Sequence, residues 1–321
     1  MSRMKAARLV TSLARCAALL ALASLTTLLM AEDKPAVAAA AGHAFLATGA
    51  ETYVMGTDKK VRWTYPCGSR DGWVLPDGNV LLAVNRDADF PGGGAVLVTP
   101  DGNETVLFKG TQAEVNTVQP LDGGKVLLTE AGPKPRLLEV DRAGKILLEV
   151  PLDAQTRDTH LQSRMARKLK NGNYLVPQLL DKVVREYTKE GKVVWEAKTP
   201  EQPPEAWPFT AIRLPNGHTL TTCTHANMVV EFDQDGKVAW QLTNADLPEP
   251  LLADPCGAQR LPNGNTVITS YGAAGKGRVK LLEVTPERKL VWTYRDDKDH
   301  GIHTFQILTD DGKPLEGDAL R

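Results

Sequence analysis

Leu261-Pro-Asn-Gly-Asn-Thr-Val-Ile-Thr-Ser270 decides the fold, because similar stretches recur along the chain. Each copy combines a glycine turn with a short apolar and β-branched run, and the others begin at Leu75, Leu121, Leu169 and Leu214. Successive turn glycines are separated by 46, 48, 45 and 47 residues. So steady a period indicates a repeat protein with units of about 47 residues.

A second turn recurs inside each unit and completes a four-stranded pattern. It lies at 99–102, 141–144, 188–191 and 233–236, and at 285–288 without its glycine. Asn-Gly and Asp-Gly between apolar runs favour two-residue hairpin turns, in which both central residues need positive φ. Each unit therefore predicts four antiparallel strands, A to D, with short A–B and C–D turns and variable loops between. Such a meander is typical of a β-propeller blade.

The two ends of the repeat region predict how the ring closes. Residues 43–66 supply strands B to D without a strand A, and residues 303–313 supply a strand A without partners. We predict an all-β, six-bladed β-propeller of four-stranded antiparallel blades over residues 41–321, because a closed ring leaves no long exposed edges. The predicted blades are 43–66 with 303–313, 70–108, 114–150, 160–198, 207–243 and 256–296.

The first 40 residues have the pattern of a signal peptide followed by a disordered leader. Four basic residues precede an apolar run at 16–30, and small residues follow at 38–40. The apolar run is shorter than a membrane-spanning helix requires. We therefore expect a periplasmic or secreted protein without an integral membrane domain.

Charge and cysteine content limit the partners. The formal net charge is −1, and it becomes −5 without the four basic residues of the leader. Nucleic acid is therefore not an expected partner. Cys67, Cys223 and Cys256 would remain after export, and an odd number leaves at least one thiol unpaired.

Strand direction places the variable loops together on one face, where function usually resides on a rigid scaffold. Counting back eight residues from each turn glycine reaches the start of strand A, which lines the channel. This gives a ring at the channel mouth: Arg70, Asn116, Arg164, Phe209, Cys256 and, in the closing strand, either Thr304 or, with one extra residue in its turn, His303. With the adjoining loops, the predicted ligand-binding residues are Arg70, Arg164, Asn116, Trp207, Cys256, His300, His225 and Tyr271, and the candidate catalytic residues are His303 and His160.

Two arginines and two histidines facing one cavity suit an anion, because guanidinium groups match sulfate, phosphate and carboxylate oxygens. Two alternatives stay open. Polar residues also fill propeller channels without a ligand, and His300, His303, His160 and Cys256 could hold zinc. The chain has no Gly-x-Ser-x-Gly, phosphate-loop or His-Glu-x-x-His motif.

The repeats resemble those of two related propeller groups. Asp233-Gln-Asp-Gly-Lys-Val-Ala-Trp240, with weaker copies ending at Trp195 and Trp292, resembles the tryptophan-docking repeat of pyrroloquinoline-quinone (PQQ)-type propellers. The likeness covers residues 43–313 and implies a packing role for the tryptophans. The adjacent cysteine pair and acidic calcium set of quinone dehydrogenases are not visible.

The Leu-Pro-Asn-Gly-Asn and Asp-Gly-Lys-x-x-Trp combination is also similar to exported, six-bladed arylsulfotransferase-like propellers. That resemblance implies His303 or His160 as the nucleophile and Arg164 as the sulfate clamp. No catalytic set is complete, however, and the sequence leaves enzyme activity open.

The leading prediction is therefore an extracytoplasmic, non-catalytic propeller that binds a small anionic molecule, a glycan or a protein in its funnel. An arylsulfotransferase-like enzyme is the alternative, and a quinone- or metal-dependent enzyme is the third. We predict no cofactor, with PQQ or a metal kept as alternatives.

Overall fold

The structure is a computed structural model that describes residues 42–310, 312–317 and 319–321. The predicted signal peptide and leader at 1–40 lie outside the described residues. No helix within the described part of the chain has the length and apolar character needed to cross a bilayer. The secondary structure is almost entirely antiparallel strand.

The repeated turn sets where strands begin and end. In the copy at Leu261, the amide of Leu261 donates to Asn265 O at 2.8 Å, and that of Gly264 donates to Leu261 O at 3.0 Å. Gly264 alone has positive φ in this turn. The turn is thus a three-residue loop ending in a left-handed glycine, and the predicted two-residue type is wrong here. The copy at Leu169 has no proline and closes in the same way, so a glycine that alone takes positive φ, and not a proline, is common to these loops.

The strands form antiparallel sheets in the order of the chain. The first sheet contains β1 (Phe45–Gly49), β2 (Thr52–Met55) and β3 (Val61–Tyr65), and Gly49 of β1 also pairs with Ser69, which joins it to the next four strands. The next is built from β4 (Ser69–Val74), β5 (Val80–Val84), β6 (Gly94–Val98) and β7 (Glu104–Lys109), and a further sheet from β8 (Glu114–Pro120), β9 (Val126–Ala131), β10 (Arg136–Val140) and β11 (Ile146–Pro151).

The second half of the chain repeats this arrangement. Its sheets contain β12 (Arg167–Lys168), β13 (Tyr174–Gln178), β14 (Val183–Tyr187) and β15 (Val193–Lys198); β16 (Ala206–Arg213), β17 (Thr219–His225), β18 (Met228–Phe232) and β19 (Val238–Thr243); and β20 (Ala258–Arg260), β21 (Thr266–Thr269), β22 (Arg278–Val284) and β23 (Leu290–Asp296). Then β24 (Ile302–Ile307) pairs with β1, so a strand near the end of the chain completes the first sheet.

A few short elements lie outside these sheets. Single 3₁₀ turns cover Asp122–Gly124, Thr159–Leu161 and Asn244–Asp246. A small ribbon of β25 (Thr309–Asp310) and β26 (Lys313–Pro314) follows β24.

The hydrophobic core lies between neighbouring sheets. One cluster joins Leu81 of β5 to Leu128 of β9, and another joins Val229 of β18 to Leu282 of β22. Tryptophans of the outer strands also dock on the next sheet: Trp195 Nε1 donates to Gln234 O at 2.8 Å. Each sheet thus buries its faces against its neighbours.

The inner strands β4, β8, β12, β16, β20 and β24 are linked to one another by hydrogen bonds. Gln306 Oε1 of β24 accepts from the Val74 amide of β4 at 2.8 Å, and Gln259 Oε1 of β20 accepts from the Ile307 amide of β24 at 2.8 Å. Gln119 of β8 likewise accepts from the Lys168 amide of β12 at 2.7 Å. These strands therefore surround a central channel.

Candidate functional site

A cavity of about 340 Å³ opens at the end of the channel where the inner strands begin. A volume of this size suits a small ligand. Its walls come from almost every sheet, and they contain Gly49, Ala50, Ser69, Arg70, Asn85, His160, Leu161, Arg164, Leu179, Trp207, Phe209, Thr224, His225, Asp254, Cys256, Tyr271 and His303.

Most of the residues that the sequence predicted for a site line this cavity. They are His303, His160, Arg70, Arg164, Trp207, Cys256, His225 and Tyr271. The structure does not bring Asn116 and His300 to it. Asn116 is fully buried, where its Nδ2 donates to Ser163 O at 3.3 Å, and His300 Nε2 lies 3.3 Å from Glu51 Oε1.

β-Bulges aim several of these side chains. The pairing register shifts between Ser69 and Asp71, so Arg70 is the extra residue of its strand. A second register shift, between β1 and β24, leaves His303 of β24 without a partner residue in β1, and a bulge in β16 includes Phe209. Bulges commonly re-aim side chains beside functional sites. The repeat therefore supplies regular strands, and its bulges present Arg70, Phe209 and His303 to the cavity.

Arg164 is the most constrained charged group of the cavity. It is 1% exposed, its Nη1 donates to Ser163 O at 3.2 Å, and its buried Nε has no hydrogen-bond partner among the described residues. The nearest carboxylate oxygen, Glu114 Oε2, lies 3.8 Å from Nη1. Burial and the like charge of Arg70 lower the pKa of Arg164 to about 10. Its guanidinium is therefore incompletely compensated.

Glu114 stands behind the cavity wall and joins its basic groups. Its carboxylate accepts from Arg70 Nη2 at 3.2 Å and lies 3.0 Å from His160 Nδ1. Burial alone raises its pKa, but the His160 hydrogen bond and the charges of Arg70 and Arg164 outweigh burial and lower the pKa to about 2. Glu114 is thus ionised at neutral pH, and one carboxylate serves two arginines.

His303 faces the cavity as a neutral imidazole. Its Nδ1 lies 3.2 Å from Arg70 O, and a carbonyl only accepts, so Nδ1 carries the proton and Nε2 has a free lone pair. Burial and the charges of Arg164 and Arg70 lower the pKa of His303 to about 3, against the small opposing effect of the Arg70 hydrogen bond. The group can therefore accept a hydrogen bond or react with an electrophile at neutral pH.

Aromatic rings lie beside these basic groups in the cavity. The rings of Trp207 and His225 are 4.3 Å apart, and Phe209 and Tyr271 contact His303 edge-on at 4.8 and 5.3 Å. Arg164 also lies over the Phe209 ring, 5.8 Å from its centroid. His225 adopts a positive φ of 59°, which the hydrogen bond from its backbone amide to Asp254 Oδ1 helps to hold. The cavity thus combines basic groups with aromatic rings that contact them.

The thiols do not form an accessible reactive site in the cavity. Burial raises the pKa of Cys256, so its thiol stays protonated, and Sγ donates to Asp254 O at 3.5 Å. Cys67, Cys223 and Cys256 are all free. Between residues 42 and 321, apart from the undescribed 311 and 318, no three His, Cys, Asp or Glu side chains are arranged to hold a metal ion.

Glu114, Phe209 and Asp254 belong to the site but were not among the predicted ligand-binding residues. The repeat count placed Phe209 in the ring at the channel mouth, and Glu114 lies on the loop before strand A of its blade. The contacts of Glu114 with Arg70 and His160 depend on the fold and have no signal in the sequence.

Acid is expected to destabilise the fold through His303. The unfolded imidazole titrates near pH 6.5, whereas the folded pKa is about 3. Below pH 6.5 the unfolded state therefore binds a proton that the folded state does not, and the stability of the fold decreases as the pH decreases. We expect the free energy of unfolding to lose about 2 kcal/mol between pH 6.5 and 4.5 through this group.

His303→Asn tests this expectation, because asparagine Nδ2 can replace Nδ1 as the donor to Arg70 O and does not titrate. Urea unfolding at both pH values should show a loss that is smaller in the variant by about 2 kcal/mol. Equal losses in the variant and the wild type would show that His303 titrates normally.

Comparisons with known proteins agree on the fold. The family model described as outer membrane protein assembly factor BamB matches residues 97–312. No curated protein matches the chain significantly. A protein of unknown function from Bacteroides caccae is 24% identical, with a TM-score of 0.70 over 82% of this chain and 98% of that one.

Two enzymes are more distant structural neighbours. A streptogramin B lyase is 12% identical, with a TM-score of 0.56 over 80% of this chain and 84% of the lyase. The periplasmic gluconolactonase of Pseudomonas aeruginosa is 14% identical, with a TM-score of 0.53 over 79% of this chain and 83% of that one. At these identities the likeness concerns the fold alone. The family match covers most of the chain, and the protein belongs to the family described as outer membrane protein assembly factor BamB, with the fold of a PQQ-like β-propeller.

Proposed function

We propose that this protein is an exported six-bladed propeller that binds a small anionic molecule in the cavity around Arg164. The observation that carries the proposal is the buried Arg164 guanidinium, whose Nε lacks a partner and whose nearest carboxylate oxygen is 3.8 Å away. Export is inferred from the basic and apolar pattern of residues 1–30.

A ring of six blades is supported by the links among inner strands. Beyond the links already described, Asp71 of β4 accepts from the Val118 amide of β8 at 3.2 Å. The Met165 amide beside β12 donates to Phe209 O of β16 at 3.2 Å, and Thr210 of β16 donates to Cys256 O beside β20 at 2.8 Å. The links run from each inner strand to the next and return to β4.

The charge balance of the cavity favours an anion. Arg70 and Arg164 share Glu114, and burial lowers the pKa of both arginines. Buried charges without full pairing are costly, so a bound anion would relieve a cost that the free protein carries. Sulfate, phosphate and carboxylate all offer the paired oxygens that a guanidinium recognises.

The aromatic rings and the volume of the cavity add a size requirement. An inorganic anion would fill only part of a 340 Å³ cavity. The space beside Trp207, Phe209 and Tyr271 would then accept an apolar or planar group of the same molecule. We therefore propose an organic anion over a glycan or a protein segment. No cofactor is needed for this function.

A thermal-shift panel tests the proposal. Sulfate, phosphate, acetate and benzoate are compared at constant ionic strength, with benzamide as the uncharged match for benzoate. A bound anion at one hundred times its dissociation constant should stabilise the fold by about 2.7 kcal/mol, with a saturable dependence on concentration. The absence of a saturable shift with every anion, relative to chloride, would remove anion binding as the function.

An arylsulfotransferase-like activity is the second candidate, favoured by the unprotonated Nε2 of His303 beside two arginines. Nε2 would attack the sulfur of an aryl sulfate, and the phenolate would leave. Release of 4-nitrophenol from 4-nitrophenyl sulfate, lost in His303→Asn, would establish it. If the anion binds but no phenol is released, the non-catalytic function stands.

A further inference from the structure

Residues 319–321 enter the central channel and place an arginine inside it. Arg321 is 3% exposed. Its Nε donates to Phe305 O at 2.7 Å, its Nη1 donates to Gly72 O at 2.6 Å, and its Nη2 lies 3.2 Å from Asp71 Oδ1. The guanidinium also lies over the ring of Trp73, 4.4 Å from the centroid. Every nitrogen of this guanidinium therefore has a partner.

The backbone and apolar groups of the segment are bound as well. The Arg260 amide donates to Leu320 O at 2.9 Å, and Arg167 Nε donates to Arg321 O at 2.8 Å. Leu320 packs on the core cluster that contains Leu252 and Leu282. Three residues thus contact the four inner strands β4, β24, β20 and β12, which are far apart in the chain.

Residues outside the segment build the receiving pocket. Asp71 is fully buried and also pairs with Arg167 Nη1 at 2.9 Å, and two backbone carbonyls and an indole face complete the walls. A carboxylate, carbonyl acceptors and an aromatic face together are selective for the planar guanidinium over an ammonium group. The pocket thus has the chemistry of an arginine-binding site.

Its position separates it from the anion cavity. Arg70 lines the cavity, whereas the next residues of β4, from Asp71 to Trp73, bind Arg321. Leu320 is bound at Arg260, the last residue of β20, and β20 begins beside the cavity. The segment therefore occupies the channel from the end opposite the cavity.

We propose that this end of the channel is a specific arginine-binding site that residues 319–321 of the same chain fill, and that its occupancy latches the inner strands together. The site lies on the strand that presents Arg70, so the latch also stabilises one wall of the anion cavity. This role is separate from anion binding and does not depend on it.

Adding the segment back in trans tests the latch. A chain ending at residue 318 is compared with the full chain, and acetyl-Ala-Leu-Arg-amide is titrated into both. We expect the shortened chain to melt about 5–10 °C lower and the peptide to restore part of this loss. The peptide should bind the shortened chain at least about tenfold more tightly than acetyl-Ala-Leu-Lys-amide, and it should not bind the full chain.

Three results would overturn the proposal: an unchanged melting temperature, no binding of the arginine peptide, or equal binding of the lysine peptide. If the shortened chain does not fold, a double-mutant cycle of Arg321→Ala and Asp71→Asn in the full chain replaces it. The latch predicts that the two losses of melting temperature are strongly non-additive. Additive losses would contradict it.

Discussion

Methionine in place of Arg164 is expected to weaken anion binding by at least about 30-fold, which corresponds to the loss of one charge-assisted hydrogen bond of about 2 kcal/mol. The same change should leave the thermal stability unchanged or raise it. Arg164 is buried, and its Nε has no hydrogen-bond partner among the described residues. Its removal leaves the Glu114 carboxylate paired with Arg70 and His160, so no buried charge loses its only partner. Lost binding without lost stability is the signature of a residue retained for its ligand.

The measurement is calorimetric titration with sulfate and with benzoate, together with thermal unfolding of each protein. Arg142→Met is the matched control, because Arg142 is exposed in the turn between β10 and β11 and lies outside the cavity. A fall of several degrees in the melting temperature of Arg164→Met, with anion affinity intact, would indicate that Arg164 is structural.

Asparagine in place of Asp71 is expected to cause the largest loss of stability, about 3–5 kcal/mol. The Asp71 carboxylate is fully buried between the guanidinium groups of Arg167 and Arg321, at 2.9 and 3.2 Å. The variant keeps the shape of the side chain but leaves two buried cations without their shared anion. The melting temperature should therefore fall by about 5–10 °C.

Thermal and urea unfolding measure this change. Asp297→Asn is the control, since Asp297 is an exposed carboxyl on the loop after β23, and it should shift the midpoint little. A combined Asp71→Asn and Arg321→Ala variant that is no less stable than Asp71→Asn alone would support the pairing. If the Asp71→Asn variant unfolds at the same midpoint as the wild type, the ion pairs of Asp71 with Arg167 and Arg321 are solvated and contribute nothing to stability.

The sequence predicted the propeller because its repeat combines two local signals of different origin. The glycine turns mark strand ends, and the tryptophans of the outer strands pack between sheets, as the Trp195 and Trp240 hydrogen bonds to the next sheet show. The PQQ-like propeller is confirmed by the family match. The predicted turn type was wrong because Asn-Gly also fits a three-residue loop in which the glycine alone has positive φ.

The cavity residues could be predicted only as far as strand counting holds. Repeat position brought Arg70, Arg164 and His303 to one rim, but the same count also selected Asn116. A bulge between Val115 and Thr117 makes Asn116 the extra residue of β8, and its amide bonds Ser163 O inside the wall. Whether a bulged residue faces a cavity or a neighbouring strand depends on side-chain packing, which the repeat pattern of the sequence does not predict.

The segment at 319–321 was beyond sequence reasoning for a related reason. The repeat ends with the short turn at Gly312, and Ala319-Leu-Arg321 carries no pattern of its own. Its position depends on the shape and charge of a pocket that is formed by β4, β12 and β24. These three strands are far apart in the chain.

Anomalous diffraction from crystals grown without sulfate and soaked in selenate tests the central claim most directly. Selenate has the shape and charge of sulfate, and selenium is located independently of the phases of the protein. The account predicts a selenium peak in the cavity within hydrogen-bonding distance of the Arg164 and Arg70 guanidinium groups. An empty cavity in crystals that carry selenium only at exposed lysines would contradict it.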